Sequence, residues 1–340
     1  MAKIKFRKVR LSVANKLRLE TINTIIEEYQ NEGYKLTLRQ LYYQLVSRNI
    51  IPNKLAEYSK LSTLLKEGRM GGIVDWDAIE DRLRQPYTPS SFDSPKDIIE
   101  AAMYQYQLPR MKGQDNYIEV WVEKDALSGV LKRVTKQYHI PILVNRGYSS
   151  ASAMYDAYNR FERGLSNAEK IIIFYLGDFD PSGMDMIRDV KDRIKEFFAG
   201  SDYIQSKWDA LETKEQKCYF EVYIEKRDVN EELLQELGRD DFFKEWFEQT
   251  FSIIPIALTK EQIKQYNPPP NPAKSTDPRA KDFIAKHGAT SWEVDALPPN
   301  VLNKLLEDSI KEKIDIELYQ GICDRESNDK KKLKSLMKQL

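Results

Sequence analysis

Two cysteines, Cys218 and Cys323, and two histidines, His139 and His287, are all that the 340 residues contain. They stand far apart and in no metal-ligand spacing, which excludes a zinc site and a disulfide framework. No apolar run approaches the ~20 residues that a bilayer-spanning helix needs, so no membrane partner is expected. The N-terminus, MAKIKFRKVR, is basic but is followed by no apolar stretch of the secretory kind. A cytoplasmic, reducing setting is the expectation. The 14 glycines form no phosphate cradle of the P-loop type, so no ATP site is expected in this chain. Net charge is missing too. The 53 basic side chains equal the 53 acidic ones, unlike the strongly basic balance of a generic nucleic-acid binder.

What is present is charge separated along the chain. Residues 1–18 carry Lys3, Lys5, Arg7, Lys8, Arg10, Lys16 and Arg18 and no acid, while acids gather in 208–250. Such a separation suits an N-terminal face that meets phosphates.

The sharpest chemistry lies in two acidic elements. Glu123 follows the run 117–122 in YIEVWVEKDAL, and Asp178 and Asp180 follow 171–176 in IIIFYLGDFDPSG. Both runs are short, β-branched and aromatic, which predicts buried strands. Parallel strands deliver their C-terminal ends to one rim of a sheet, where ligand crevices open. Three carboxylates gathered there would repel one another unless a divalent cation sat between them. Hard Mg2+ prefers carboxylate, water and phosphate oxygens, and Glu123, Asp178 and Asp180 supply the first of these. Gly177 permits a sharp turn, Pro181 fixes its exit and Gly183 permits close approach. Met186, Ile187, Val190, Ile194 and Phe197 then follow a helical period.

Helical periodicity over 12–31, 37–49 and 55–67, with Gly68, Gly71 and Gly72 breaking the third helix before a strand-like wing, predicts a winged-helix module over 1–86. Residues 87–114 read as linker and connecting helix. QPYTPSSFDSPK (85–96) is the Pro- and Ser-rich stretch, and Ser94 and Pro95 start a helix. An α/β domain with a mainly parallel sheet is expected over 115–318, with an insertion at about 201–250. Within it, 251–258 reads as a further strand and the Pro-rich loop 267–281 brings Lys274, Arg279 and Lys281 as candidate DNA contacts. Residues 319–340 read as a basic tail.

The Glu-Lys at one strand end and D-x-D-P-x-G at a later one resemble the Toprim domain shared by topoisomerases, bacterial primases and some nucleases. GDFDPSGMDM is most similar to the A subunit of topoisomerase VI and its relative, the meiotic double-strand-break transesterase. VNRGYSSAS (144–152) is similar to the strand–glycine–turn segment of that family, and WEVDALPP (292–299), with Glu293, to its late E-x-x-A-L segment. The resemblance implies an Arg and a catalytic Tyr upstream, on a CAP-like winged helix. TLRQLYY (37–43) matches the family's R-x-x-Y-Y signature. A capping box of Thr37 and Gln40 starts a helix there, and Arg39 and Tyr43, four residues apart, share its face. Tyr42 falls on the core-facing stripe with Leu38, Leu41 and Leu45, leaving Tyr43 as the reactive phenol.

By this resemblance the chain cleaves double-stranded DNA in a Mg2+-dependent reaction, with Mn2+ able to substitute. Tyr43 and Arg39 are the catalytic pair, and Glu123, Asp178 and Asp180 are the metal ligands. The product is a 5′-phosphotyrosyl link. A homodimer and an ATPase partner subunit of the B type are the implied partners. The short linker is expected to hold Tyr43 away from the carboxylates of its own chain, so that active sites form between two chains. The alternatives are a hydrolytic Toprim nuclease of a plasmid, phage or defence system, and a non-catalytic DNA-binding assembly subunit.

Overall fold

The computed structural model describes residues 3–79, 89–145, 147, 149–211, 215–216, 218–219, 231–272 and 280–337. Four apolar runs rich in β-branched and aromatic residues form strands: β1 (Asn116–Val122), β2 (Ile142–Val144), β3 (Lys170–Leu176) and β4 (Phe251–Ala257). All pair in parallel, in the order β2-β1-β3-β4. Parallel strands need helices on both faces, and side-chain alternation sends apolar residues to each. Ile118, Val120, Val122, Ile172, Phe174 and Leu176 pack with α5 (Asp125–Tyr138) and α12 (Pro299–Lys313). Trp121, Ile171, Ile173 and Tyr175 pack with α6 (Ala151–Leu165), α7 (Pro181–Ala199) and α9 (Glu231–Thr250), the last through Phe243 and Phe247. The chain is therefore α/β, with a sheet between two helical layers.

The strand order fixes where a site can form. From β1 the chain crosses to β2 on one side, and from β3 it crosses to β4 on the other. Connections diverging from two neighbouring strands open a crevice at their C-terminal ends. Val122 pairs with Leu176 at those ends, so the next residues, Glu123 and Gly177, stand side by side.

The N-terminal part is helical: α1 (Val13–Asn31), α2 (Leu38–Ser47) and α3 (Leu55–Met70). They share a core that includes Leu19, Ile22, Leu41, Leu45, Leu61 and Leu65. Gly68 does not break α3. It lies buried within it, where a Cβ would come within 2.9 Å of side-chain carbons of Leu19 and Val74. The helix ends two residues later, and Gly72 takes the positive φ of +71° that the turn requires. The expected wing is only partly visible, since residues 80–88 lie outside the described ones. Among the described residues the segment makes isolated bridges alone, Lys5 to Gly71 and Leu36 to Ile79. The basic arm is pinned down rather than free. The amides of Phe6 and Arg7 both donate to the Met70 carbonyl, at 3.0 and 3.1 Å. Lys3, Arg7 and Arg18 pair with Glu27, Glu67 and Glu57.

Ser94 caps α4 (Pro95–Gln105), its Oγ accepting from the Asp97 amide, with Pro95 at the first helical position. The 201–250 region contributes α8 (Asp202–Asp209) besides α9. Arg146 and Tyr148 of the glycine segment, and Lys274 and Arg279 of the Pro-rich loop, lie outside the described residues. Around that loop come α10 (Lys260–Tyr266), β5 (Asn271–Pro272), α11 (Ala280–His287) and β6 (Thr290–Ser291), with β5 and β6 antiparallel. Residues 319–337 are not a tail. They belong to α13 (Ile316–Met337), which buries Tyr319, Ile322 and Glu326.

Candidate active site

The rim of the sheet is built by backbone hydrogen bonds. The Glu123 amide donates to the Leu176 carbonyl at 2.9 Å and the Gly177 amide to the Ala257 carbonyl at 2.8 Å. A Cβ on Gly177 would lie 2.4 Å from the Tyr175 ring and 3.1 Å from Glu123 Oε2, and one on Gly183 would lie 2.3 Å from the Asp178 carbonyl oxygen. Both glycines therefore hold the acidic turn against its neighbours. Phe179 and Trp292 exchange backbone hydrogen bonds at 2.9 and 3.1 Å. That bridge delivers Glu293 and Asp295, the latter in a 3-10 turn (Val294–Ala296), beside Asp178.

Each predicted ligand uses one oxygen internally. Glu123 Oε2 accepts from the Asp178 amide at 2.9 Å. Asp178 Oδ1 accepts from the Val294 amide at 2.9 Å and from Lys124 Nζ at 2.7 Å. Asp180 Oδ1 caps α7, accepting from the Gly183 amide at 2.6 Å. Among the described residues, Glu123 Oε1, Asp178 Oδ2 and Asp180 Oδ2 have no hydrogen-bond partner. Hard oxygen donors of this kind, on adjacent strand ends, fit a divalent cation. The side chains are not drawn around a single point, however: among the described residues no three acidic, thiol or imidazole groups enclose a metal position.

Lys124 supplies the positive charge at the centre. Besides Asp178 it meets Glu293 at 2.9 Å and Asp295 at 3.6 Å. Burial opposes its charge, but Asp295, Asp178 and Glu293 together raise its pKa above the ordinary lysine value. Arg39 closes the cluster from α2, pairing with Glu293 and placing Nε 2.7 Å from Asp295 Oδ2. Five carboxylates thus face two cations. Burial, reinforced by Glu123 and Asp295, pushes Asp178 up to about 7 despite Lys124. Burial also raises Glu123, with Asp180 and Asp295 adding to the effect. For Glu293 burial is outweighed by Lys124 and Arg39, which hold it at about 2.

The capping box of α2 is present as expected, with the Thr37 amide donating to Gln40 Oε1 at 2.9 Å and the Gln40 amide to Thr37 Oγ1 at 3.2 Å. Arg39 and Tyr43 share a helix face, the guanidinium lying 5.8 Å from the ring centre. Tyr42 is tied into the fold by its hydroxyl, which donates to Asn53 Oδ1 at 3.0 Å and faces the Lys54 carbonyl at 3.2 Å. Tyr43 is only 5% exposed. Burial and the neighbouring Glu293 raise its phenol above the ordinary value, against Arg39 and Lys124.

The expectation that linker length keeps Arg39 and Tyr43 away from the carboxylates of their own chain is overturned. Arg39 reaches Glu293 and Asp295 directly, and these share Lys124 with Asp178. Ion pairing between oppositely charged faces closes the gap. Two members of the cluster went unassigned in the sequence. Lys124 was visible in E-K beside the glutamate, and Asp295, 1% exposed, lay in W-E-V-D-A-L as an acid in an apolar stretch. No protein-family model, curated protein or solved structure matches the chain.

Proposed function

We propose that this chain cleaves DNA by tyrosine transesterification at a divalent-cation site, as its resemblance to the topoisomerase VI A subunit implies. One observation carries the reading. A helix bearing Arg39 and Tyr43 is fastened to the acidic rim at the sheet's crevice within a single chain. Glu123, Asp178 and Asp180 would hold Mg2+, which supplies charge stabilisation at the scissile phosphate when bound.

The protein's own groups do the rest. Glu293 and Asp295 now occupy Arg39 and Lys124, and an entering DNA phosphate competes with them for those cations. Arg39, always charged and fork-shaped, grips phosphate oxygens. Tyr43 Oη loses its proton and bonds to phosphorus as the bond to the 3′-oxygen breaks, and the 3′-oxygen takes up a proton. A 5′-phosphotyrosyl link and a 3′-hydroxyl result, and the reverse attack reseals the strand. Two copies of the chain would cut both strands of a duplex.

Incubation with supercoiled plasmid and Mg2+, quenched with denaturant, should yield breaks with protein attached. Tyr43→Phe should abolish the attachment while circular dichroism and DNA binding remain unchanged, since one hydroxyl is removed. Adducts formed by the Phe variant would exclude Tyr43 as the nucleophile. The burial of Tyr43 favours the second reading, a hydrolytic nuclease. Breaks without attached protein, retained in Tyr43→Phe, would establish that reading instead.

A further inference from the structure

A cavity of about 710 Å³ opens at the opposite end of the sheet, beside the start of β1 at Asn116, Tyr117 and Ile118. β1 has seven residues, so the cavity lies roughly 20 Å from the carboxylate rim at ~3.3 Å per residue. Its volume is within the ~300–1,000 Å³ of small-molecule sites.

The lining combines two chemistries. Met111, Ile118 and Pro141 offer an apolar wall. Four cationic side chains also line it, and they are not equivalent. Arg160 is committed to the buried Glu119, at 2.7 and 3.0 Å. Arg110 is committed to Glu326, at 2.9 and 3.3 Å, and to the Gln137 carbonyl. Arg163 and Lys112, both exposed, have no ion-pair partner among the described residues. Their charge is available to a ligand, while Arg160 and Arg110 offset the negative charge of Glu119 and Glu326.

We infer that this cavity, which uses side chains and not the P-loop glycine cradle on whose absence the expectation of no ATP site rested, binds a small organic anion of nucleotide type, its phosphate held by Arg163 and Lys112 and its planar apolar body against the Met111–Ile118–Pro141 wall. An arginine suits phosphate recognition because its planar donors match phosphate oxygens. An apolar wall beside a few convergent polar groups is how pockets of this size orient such ligands. The inference does not rest on the proposed cleavage, because no residue is shared with the rim. The site is proposed to bind and not to react, since no carboxylate, cysteine or serine lines it.

Isothermal titration with AMP, ATP, inorganic tripolyphosphate and a 12-nucleotide single strand tests this on the full chain. AMP or ATP should bind at micromolar to sub-millimolar concentration, at least tenfold tighter than tripolyphosphate. Arg163→Ala and Lys112→Ala should each weaken binding about tenfold. Both side chains are exposed, so neither change threatens the fold. Asn167→Trp, on the exposed lip, should block the cavity and abolish binding. Asp178→Asn, at the rim, should leave it unchanged. Failure of both nucleotides to bind at millimolar concentration would overturn the inference. So would equal affinity for tripolyphosphate, binding of the oligonucleotide alone, or loss of nucleotide binding in Asp178→Asn but not in Arg163→Ala.

Discussion

Glu119 and Glu123 lie four residues apart on and just beyond the same strand, yet their surroundings are opposites. Glu119, 1% exposed, is fully satisfied: Oε1 accepts from Tyr117 Oη and Arg160 Nε, and Oε2 from Trp121 Nε1 and Arg160 Nη2, all at 2.7–3.0 Å. One arginine matches one carboxylate. Glu123 accepts a single backbone amide, and the carboxylates around it outnumber the cations. A buried acid with all its partners belongs to the architecture, whereas a cluster held short of cations stores an unmet demand for positive charge. The difference marks Glu119 as a structural acid and Glu123 as a candidate for function without reference to motif.

The largest effect on stability should come from breaking the satisfied site. Glu119→Ala leaves Arg160, Tyr117 and Trp121 without their acceptor and should cost about 3–5 kcal/mol in denaturant unfolding. A loss under 1 kcal/mol would show that the pair is dispensable. The rim should respond to pH. Asp178 has a folded value of about 7, above the ~3.9 of an unfolded aspartate. Its contribution is present at and below about pH 4 and is lost as pH rises through 7, on the order of 4 kcal/mol without divalent cation. Thermal melts from pH 4 to 8 should show this fall in the wild type and a flatter profile in Asp178→Asn. A profile identical in both would remove Asp178 as its source. The smallest effect is expected from Glu123→Gln, which removes one charge from the crowded site. In chelator it should melt no lower than the wild type, and up to about 1 kcal/mol more stable. A loss of 2 kcal/mol or more would mean that Glu123, like Glu119, is a structural acid.

Much of this contrast was legible in the sequence. β1, β3 and β4 follow from short apolar runs, and the positions of Glu123 and Asp178 beside one crevice follow from strand ends in a parallel sheet. The capping box marked α2 and put Arg39 and Tyr43 on one face. Less legible were features decided by long-range pairing. Asp295 reaches the rim only because Trp292 bridges to Phe179, and nothing local in W-E-V-D-A-L announces that bridge. Gly68 looked like a helix breaker because sequence alone does not show Leu19 and Val74 packed against it. The C-terminal helix looked like a tail for the same reason. Its anchor is Glu326, which accepts from Arg110 more than two hundred residues away.

The central claim is that the unsatisfied rim carboxylates are held for a divalent cation and the satisfied ones are not. Calorimetric titration of Mn2+ and Mg2+ into the DNA-free protein tests it most directly. Wild type should bind. The double variant Asp178→Asn with Asp180→Asn should lose at least tenfold in affinity, and Arg160→Met, which disturbs the Glu119 site and the cavity beside it but not the rim, should bind as wild type does wherever circular dichroism shows it folded. Unchanged divalent affinity in the double variant, or a loss confined to Arg160→Met, would contradict the account.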